Sequence, residues 1–180
     1  PKEIIGFDYS KKNIAKNKKN FQNSKIKFFQ CEILKIDEKK FKNHFDVIFM
    51  TWTLSCCAEP LKILDKVKKI LKVGGHLVIA ESSRILVPPK YKIDYYFRYG
   101  QKINTFNDYP WRFSFNSLRN LLLVKNFEVK SYNNFKSSDN LVIIAKNKLK
   151  VKKRFRIDNP TSIKNFFLKW ISFSKKFKSF

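Results

Sequence analysis

The sequence predicts an α/β fold with a doubly wound, mostly parallel sheet and an antiparallel final strand. Short apolar runs of strand length alternate with segments in which apolar residues recur near the helical period. The run at 45–51 is continuously apolar, which is typical of a parallel strand buried on both faces. A chain of 180 residues, 43% of them hydrophobic, can bury one such domain but is too short for two.

The first two strands each end at an acidic residue. The run EIIGF at 3–7 precedes Asp8, and Ser10 can then cap a lysine-rich helix. A second strand at 26–31 precedes Glu32. This is a strand, helix, strand unit with a carboxylate at each strand tip.

The middle of the chain repeats this order. After the third strand, Pro60 suits the first turn of a helix. The glycine pair 74–75 is expected to end that helix, and the next strand covers 76–82.

The last elements predict the antiparallel end of the sheet. Ser114 or Asn116 can begin a helix that reaches Val124, and strands follow at about 127–132 and 141–145. The polar turn between these two strands is too short for a helical crossover, so they are expected to pair antiparallel.

The amino-acid composition limits the classes of partner that we expect. A formal charge of +25 attracts polyanions. However, only six of the 39 basic residues are arginine, the residue preferred for phosphate and base contacts. We therefore interpret the lysines chiefly as a solvated surface, and nucleic acid as the less favoured partner.

The cysteines indicate neither a disulfide framework nor a metal site. Cys56 and Cys57 are adjacent and cannot easily bridge, Cys31 is far away in sequence, and no Cys/His spacing suits zinc. Free thiols and the lack of a recognisable targeting segment lead us to expect a cytoplasmic protein without a bound metal.

Four segments, taken in order, resemble motifs of the class I S-adenosylmethionine-dependent methyltransferases. The resemblance covers nearly all of residues 1–146 and implies a Rossmann-like sheet. The motifs are IIGFDYS at 4–10, FFQCEI at 28–33, FDVIFMTWTL at 45–54 and ILKVGGHLVIAES at 70–82.

The resemblance implies a set of cofactor ligands. Asp8 would accept the ribose hydroxyls of S-adenosylmethionine, with Tyr9 beside it. Glu32 would face the adenine amino group and Ile33 would cover the ring. Thr51 would lie under the methionine part. No catalytic residue is compulsory, because positioning can supply much of the rate of an in-line methyl transfer.

The family's first strand and its glycine-rich turn have no counterpart here. The four glycines lie at 6, 74, 75 and 100, so none forms a glycine-rich loop ahead of the second-strand motif. We expect a sheet that lacks its first central strand. Our hypothesis is that the sequence is a fragment that binds S-adenosylmethionine poorly alone.

The predicted domain covers 1–148, with 83–115 as a substrate or lid segment. Its aromatic and arginine side chains suit a small-molecule or saccharide acceptor. Two alternatives stay open, an RNA methyltransferase and a catalytically silent methyltransferase-like binding module. The candidate acceptor contacts are Arg84, Tyr95, Tyr99, Trp111 and Arg112.

The segment 149–180 predicts a basic amphipathic tail. After Pro160, bulky apolar residues fall largely on one helical face with lysines around it. Such a helix can dock on its own domain or lie on an anionic bilayer, so peripheral membrane contact is a further expectation.

Overall fold

A computed structural model describes residues 1–82, 110–133 and 140–177. The chain forms two compact units, Pro1–Lys42 and Asn43–Phe180.

The first unit is a strand, helix, strand unit. Strand β1 (Ile4–Asp8) pairs parallel with β2 (Ile26–Gln30), and helix α1 (Lys11–Asn20) connects them. A short 3-10 turn, Ile33–Lys35, follows β2. The predicted Ser10 cap is confirmed, because its side chain accepts a hydrogen bond from the Asn13 backbone N–H.

Aromatic rings form much of the core of this unit. The Phe7 ring stacks on Phe29 at 5.9 Å and meets Phe41 edge to face at 5.7 Å. Ile14 of α1, Ile36 and Phe41 are buried, whereas Phe29 is 39% exposed. Few other side chains of the first unit are buried, so β1 and β2 depend on this small cluster for their packing.

The second unit contains a four-stranded sheet. Its strands lie in the order β3, β4, β6, β5, with β3 and β4 parallel and β6 antiparallel to both neighbours. The antiparallel end of the sheet is therefore confirmed. The elements are β3 (Phe45–Thr51), a 3-10 turn (Leu54–Cys56), α2 (Pro60–Ile70), β4 (Leu71–Ser82), α3 (Phe115–Val124), β5 (Phe127–Tyr132), β6 (Asn140–Asn147) and α4 (Pro160–Phe177).

Helices α2 and α3 cover this sheet with their apolar faces. Helix α3 begins at Ser114, whose side chain forms a capping box with Ser117. Fully buried side chains come from both helices and from three strands: Leu64, Leu77, Ile79, Leu118, Leu122, Phe127 and Ile143.

The expectation that the strand at 45–51 is buried on both faces is wrong. Val47 is 44% exposed and Phe49 is 71% exposed. The reason is that β3 pairs only with β4 in the described sheet, so it is an edge strand. In the first unit β1 likewise pairs only with β2. Each strand thus has one open edge in the sheet of its own unit; that the sequence is a fragment stays a prediction.

The glycine pair serves a different purpose from the one predicted. Helix α2 ends at Ile70, and Leu71 is already extended and paired with Phe45. Gly74 has a φ of +85°. A Cβ atom on Gly75 would lie 2.9 Å from the Asp46 carbonyl oxygen. The pair therefore gives a bend and a close approach between β3 and β4, where their register shifts.

Within the ranges described, we find no helix long and apolar enough to cross a membrane.

Candidate functional site

The Asp8 carboxylate lies at the carboxyl end of β1 and is only half-buried. One oxygen accepts a hydrogen bond from the Ser10 backbone N–H at 2.7 Å, and the other accepts one from Asn13 Nδ2 at 2.9 Å. Both donors belong to the start of α1. They fix the carboxylate at the strand tip and leave it open to solvent, where it can accept further hydrogen bonds.

Glu32 follows the parallel partner strand. The pairing sets Asp8 beside Gln30, and the Cys31 N–H donates to the Asp8 carbonyl at 3.0 Å. The two predicted carboxylates therefore lie at the same end of this sheet. Glu32 is exposed and pairs with Lys35 at 3.0 Å.

The two other predicted residues of the first unit flank these carboxylates. Tyr9 is 77% exposed, and its carbonyl accepts from Gln30 Nε2 at 3.3 Å. Ile33 is half-buried and begins the 3-10 turn after Glu32. An exposed ring and a half-buried aliphatic side chain thus stand beside two carboxylates. This combination suits a ligand with hydroxyl groups and a flat apolar part.

In the second unit, Thr51 ends β3 and begins a tightly bonded loop. Thr51 is exposed and pairs with Ala80 of β4. The next residue, Trp52, has a φ of +50°, which is unfavourable for a side chain of this size. Its N–H donates to the Ala80 carbonyl at 2.8 Å, and its side chain is 52% exposed.

The carboxylate that holds this loop is Glu81, which the sequence analysis did not single out. Alternation along β4 puts Glu81 on the same buried face as Leu77 and Ile79, and it is 1% exposed. Its Oε1 accepts the backbone N–H groups of Thr53 at 3.1 Å and Leu54 at 2.8 Å. The loop after β3 is therefore bonded to a carboxylate of the neighbouring strand.

A third hydrogen bond completes the environment of Glu81. Its Oε2 accepts the Ser55 hydroxyl at 2.6 Å. Burial raises the pKa of the Glu81 carboxyl, although these three donors favour the charged form. The sequence signal that could have revealed the residue is a lone acid at the end of an apolar strand.

Trp111 holds the same loop from another direction. Its indole N–H donates to the Cys57 carbonyl at 2.8 Å, and its backbone N–H donates to the Ser55 carbonyl at 3.3 Å. The Trp111 side chain is still 41% exposed, and Arg112 beside it is half-buried. Three other predicted acceptor contacts lie outside the described residues: Arg84, Tyr95 and Tyr99.

The cysteine thiols of this loop form hydrogen bonds to backbone carbonyls of the same loop. The Cys57 thiol donates to the Thr53 carbonyl at 2.9 Å, and Cys56 donates to the Trp52 carbonyl at 3.2 Å. Burial raises the pKa of the Cys57 thiol, which keeps it protonated and poorly nucleophilic. In the segments that the structure describes, no cluster of His, Cys, Asp or Glu could hold a metal ion.

The sequence of residues 1–111 matches the family model described as a methyltransferase domain. The chain belongs to this methyltransferase family. The match covers the carboxylate pair of the first unit, the loop after β3, Glu81 and Trp111. The prediction of a class I S-adenosylmethionine-dependent methyltransferase is confirmed. No curated protein matches the sequence.

Solved structures show the same fold at low sequence identity. An S-adenosylmethionine-dependent methyltransferase from Methanosarcina mazei is 16% identical, with a TM-score of 0.61 over 82% of this chain and 83% of that one. One from Mesorhizobium loti is 13% identical, with a TM-score of 0.61 over 81% and 80%. A chain of the Haloferax volcanii complex between the Trm112 methyltransferase activator and a methyltransferase is 12% identical, with a TM-score of 0.64 over 82% and 73%.

Proposed function

We propose that this methyltransferase binds S-adenosylmethionine through Asp8 and Glu32 and transfers its methyl group to a small-molecule or saccharide acceptor. The observation that carries the proposal is the pair of accessible carboxylates at the carboxyl ends of β1 and β2. Ligands of open α/β sheets bind outside this end of the strands.

The donor set suits the nucleoside part of the cofactor. A carboxylate that is fixed by two local donors and still open to solvent can accept the two vicinal ribose hydroxyls, the role proposed for Asp8. Glu32 can accept from an adenine amino group after leaving its exposed ion pair with Lys35, which costs little. Ile33 and Tyr9 then supply apolar contact with the base.

Thr51, which begins the loop after β3, is proposed as a contact of the cofactor's methionine part on the resemblance of 45–54 to the family's fourth-strand motif. When bound, S-adenosylmethionine would supply an electrophilic methyl group, because its sulfonium sulfur can leave as a thioether when an acceptor attacks the methyl carbon in line. The chain's own contribution is to fix the backbone of the loop after β3. Glu81 and Trp111 do so through hydrogen bonds to Thr53, Leu54 and Ser55. A rigid loop favours aligned attack, so positioning is the main catalytic effect.

The acceptor is proposed to contact the ring of Trp111 and the guanidinium of Arg112. The indole N–H is already used by the Cys57 carbonyl, so the exposed part of Trp111 is available mainly for stacking. A ring face beside an arginine suits a sugar or another polar acceptor of similar size.

Substitution of Trp111 tests the acceptor contact. In the chain extended upstream through the expected first strand, transfer of labelled methyl groups is measured against a panel of saccharide and phenolic acceptors. Trp111→Ala, alone or with Arg112→Ala, should lower turnover on the order of a hundredfold. It should leave S-adenosylmethionine affinity nearly unchanged, because the backbone N–H of residue 111 still donates to the Ser55 carbonyl.

Trp111→Phe is the matched control. It keeps a ring for stacking but loses the hydrogen bond to Cys57, and it should keep most of the turnover. Equal loss of turnover in both variants would assign Trp111 to the loop structure and remove it from acceptor binding.

The same assays distinguish the alternative functions. Methyl transfer to RNA rather than to the panel would favour an RNA methyltransferase, and cofactor binding with no transfer would favour a catalytically silent module. One fold neighbour is a [4+2]-cyclase, SpnF, so the fold alone does not fix the reaction.

A further inference from the structure

An extended segment, residues 148–158, follows β6 and lies against α3; we call it the basic strap. Its beginning is bonded to Asn126, whose carbonyl accepts the Lys148 N–H at 3.1 Å and whose Oδ1 accepts the Val151 N–H at 3.4 Å. Arg119 of α3 donates to the Arg154 carbonyl at 2.7 Å. These contacts hold the first part of the strap through its backbone.

The second part is held in the same way. The Asn120 side chain donates to the Arg156 carbonyl at 2.6 Å and accepts its N–H at 3.1 Å. The Asp158 carboxylate accepts the Ser114 hydroxyl and, at 2.8 Å, Asn116 Nδ2. The one acidic group of the strap therefore faces α3, and the strap keeps a positive net charge because it has six basic residues and this single acid.

The strap presents cations and bulky apolar side chains together. Leu149 is 79% exposed, Phe155 is 54% exposed and Ile157 is 89% exposed. Between them stand basic residues that are all exposed and form no ion pair within the described residues: Lys150, Lys152, Lys153, Arg154 and Arg156. Such side chains on a fixed backbone make a preformed surface for an anionic partner.

Helix α4 continues this surface directly. The Asn159 side chain caps it by accepting the Thr161 N–H at 2.9 Å and the Ser162 N–H at 3.4 Å. Leu168 is 53% exposed, and residues 160–180 contain five lysines and no acid. The described start of α4 thus adds one exposed leucine and one exposed lysine, Lys164, to the surface of the strap.

We propose that the basic strap, with the adjoining start of α4 at 160–168, forms a docking surface for an anionic lipid bilayer. Exposed aliphatic groups gain little from a nucleic acid, but they leave water when they enter the boundary between headgroups and acyl chains. Lysine is far more frequent than arginine in 148–180, and ammonium groups suit diffuse attraction to anionic lipid more than base recognition.

Vesicle co-sedimentation of the whole chain tests this surface. Vesicles of phosphatidylcholine with phosphatidylglycerol should pellet the protein, and vesicles of phosphatidylcholine alone should not. The triple variant Lys152→Gln, Lys153→Gln, Arg154→Gln should weaken binding on the order of a hundredfold, at about 1 kcal/mol for each cation near the surface. Each of these side chains is exposed, so the fold is retained.

The matched control removes the same charge elsewhere. Lys11→Gln, Lys12→Gln, Lys16→Gln changes three exposed lysines of α1 and should alter binding by less than about threefold. The pair Leu149→Ser, Ile157→Ser should weaken binding about tenfold or more without changing the charge.

Three results would overturn the proposal. The first is no binding to the anionic vesicles. The second is an equal loss in the strap and α1 variants, which would mean that only net charge matters. The third is strap-dependent binding to single-stranded RNA with none to vesicles, which would assign the surface to nucleic acid.

Discussion

Asp8 and Glu81 occupy comparable positions in their own sheets, at the carboxyl ends of parallel strands, but their surroundings differ. Asp8 is half-buried and accepts from two groups at the start of the next helix. Glu81 is buried and accepts from three groups of a loop that follows the neighbouring strand. One carboxylate is open to a ligand, and the other is committed to the protein.

This difference separates two tasks that acidic residues perform at one kind of sheet edge. An exposed carboxylate can exchange water for ligand hydroxyls at low cost, whereas a buried one would leave its own donors unsatisfied if it moved. Removing Glu81 should therefore damage the fold first, and removing Asp8 should damage binding first.

The largest expected effect is that of Glu81→Leu on stability. The change leaves the Thr53 and Leu54 N–H groups buried without an acceptor and removes the Ser55 bond, which should cost about 2 to 4 kcal/mol. Denaturant unfolding measures the loss. Glu81→Gln is the control, since its amide oxygen can still accept both N–H groups. A loss in Glu81→Leu no larger than that in Glu81→Gln would contradict the role of Glu81.

Substitution of Asn126 should have an intermediate effect. This residue has a φ of +59° at the turn between α3 and β5. Asn126→Val should destabilise the protein by about 1 to 2 kcal/mol, because a branched residue is strained there. Asn126→Gly loses the same hydrogen bond to the Val151 N–H but fits this backbone conformation, so it should be more stable than Asn126→Val by about 1 kcal/mol. Equal stability of the two variants, measured by thermal unfolding, would show that backbone strain does not matter at this position.

The pH dependence of stability should show a smaller effect of the same buried carboxylate. Burial raises the pKa of Glu81, so the folded protein binds this proton more tightly than the unfolded chain does. The stabilisation that results is fully present at pH values below the pKa of Glu81 in the unfolded chain. It is lost as pH rises through the pKa of Glu81 in the folded protein. Over that window Glu81→Gln should gain stability relative to the parent, as measured by urea midpoints. If the stability of Glu81→Gln relative to the parent stayed constant or fell as pH rises, the result would be inconsistent with the raised pKa.

The sequence predicted best those features that depend on neighbouring residues. Ser10 and Ser114 were expected to cap helices and do so, because capping involves residues only three positions apart. The acidic residues at the ends of β1 and β2, Asp8 and Glu32, were predicted from the order of the motifs along the sequence.

The features that the sequence did not predict depend on long-range pairing. Glu81 can accept hydrogen bonds from the loop after β3 only because β4 lies beside β3. The three residues that donate to it lie 26 to 28 positions away in the sequence. Similarly, the exposure of Phe49 follows from the position of β3 at the edge of the described sheet. An apolar run looks the same in sequence whether one or two strands flank it.

The most direct test of the central claim is calorimetric titration of S-adenosylmethionine into this chain and into a version extended upstream through the expected first strand, each with and without Asp8→Asn. We predict binding by the extended chain, weaker or no binding by this chain, and a loss of affinity in Asp8→Asn of about tenfold to a hundredfold without loss of fold. No binding by either chain, or full affinity in Asp8→Asn, would contradict the proposal that Asp8 is a cofactor ligand.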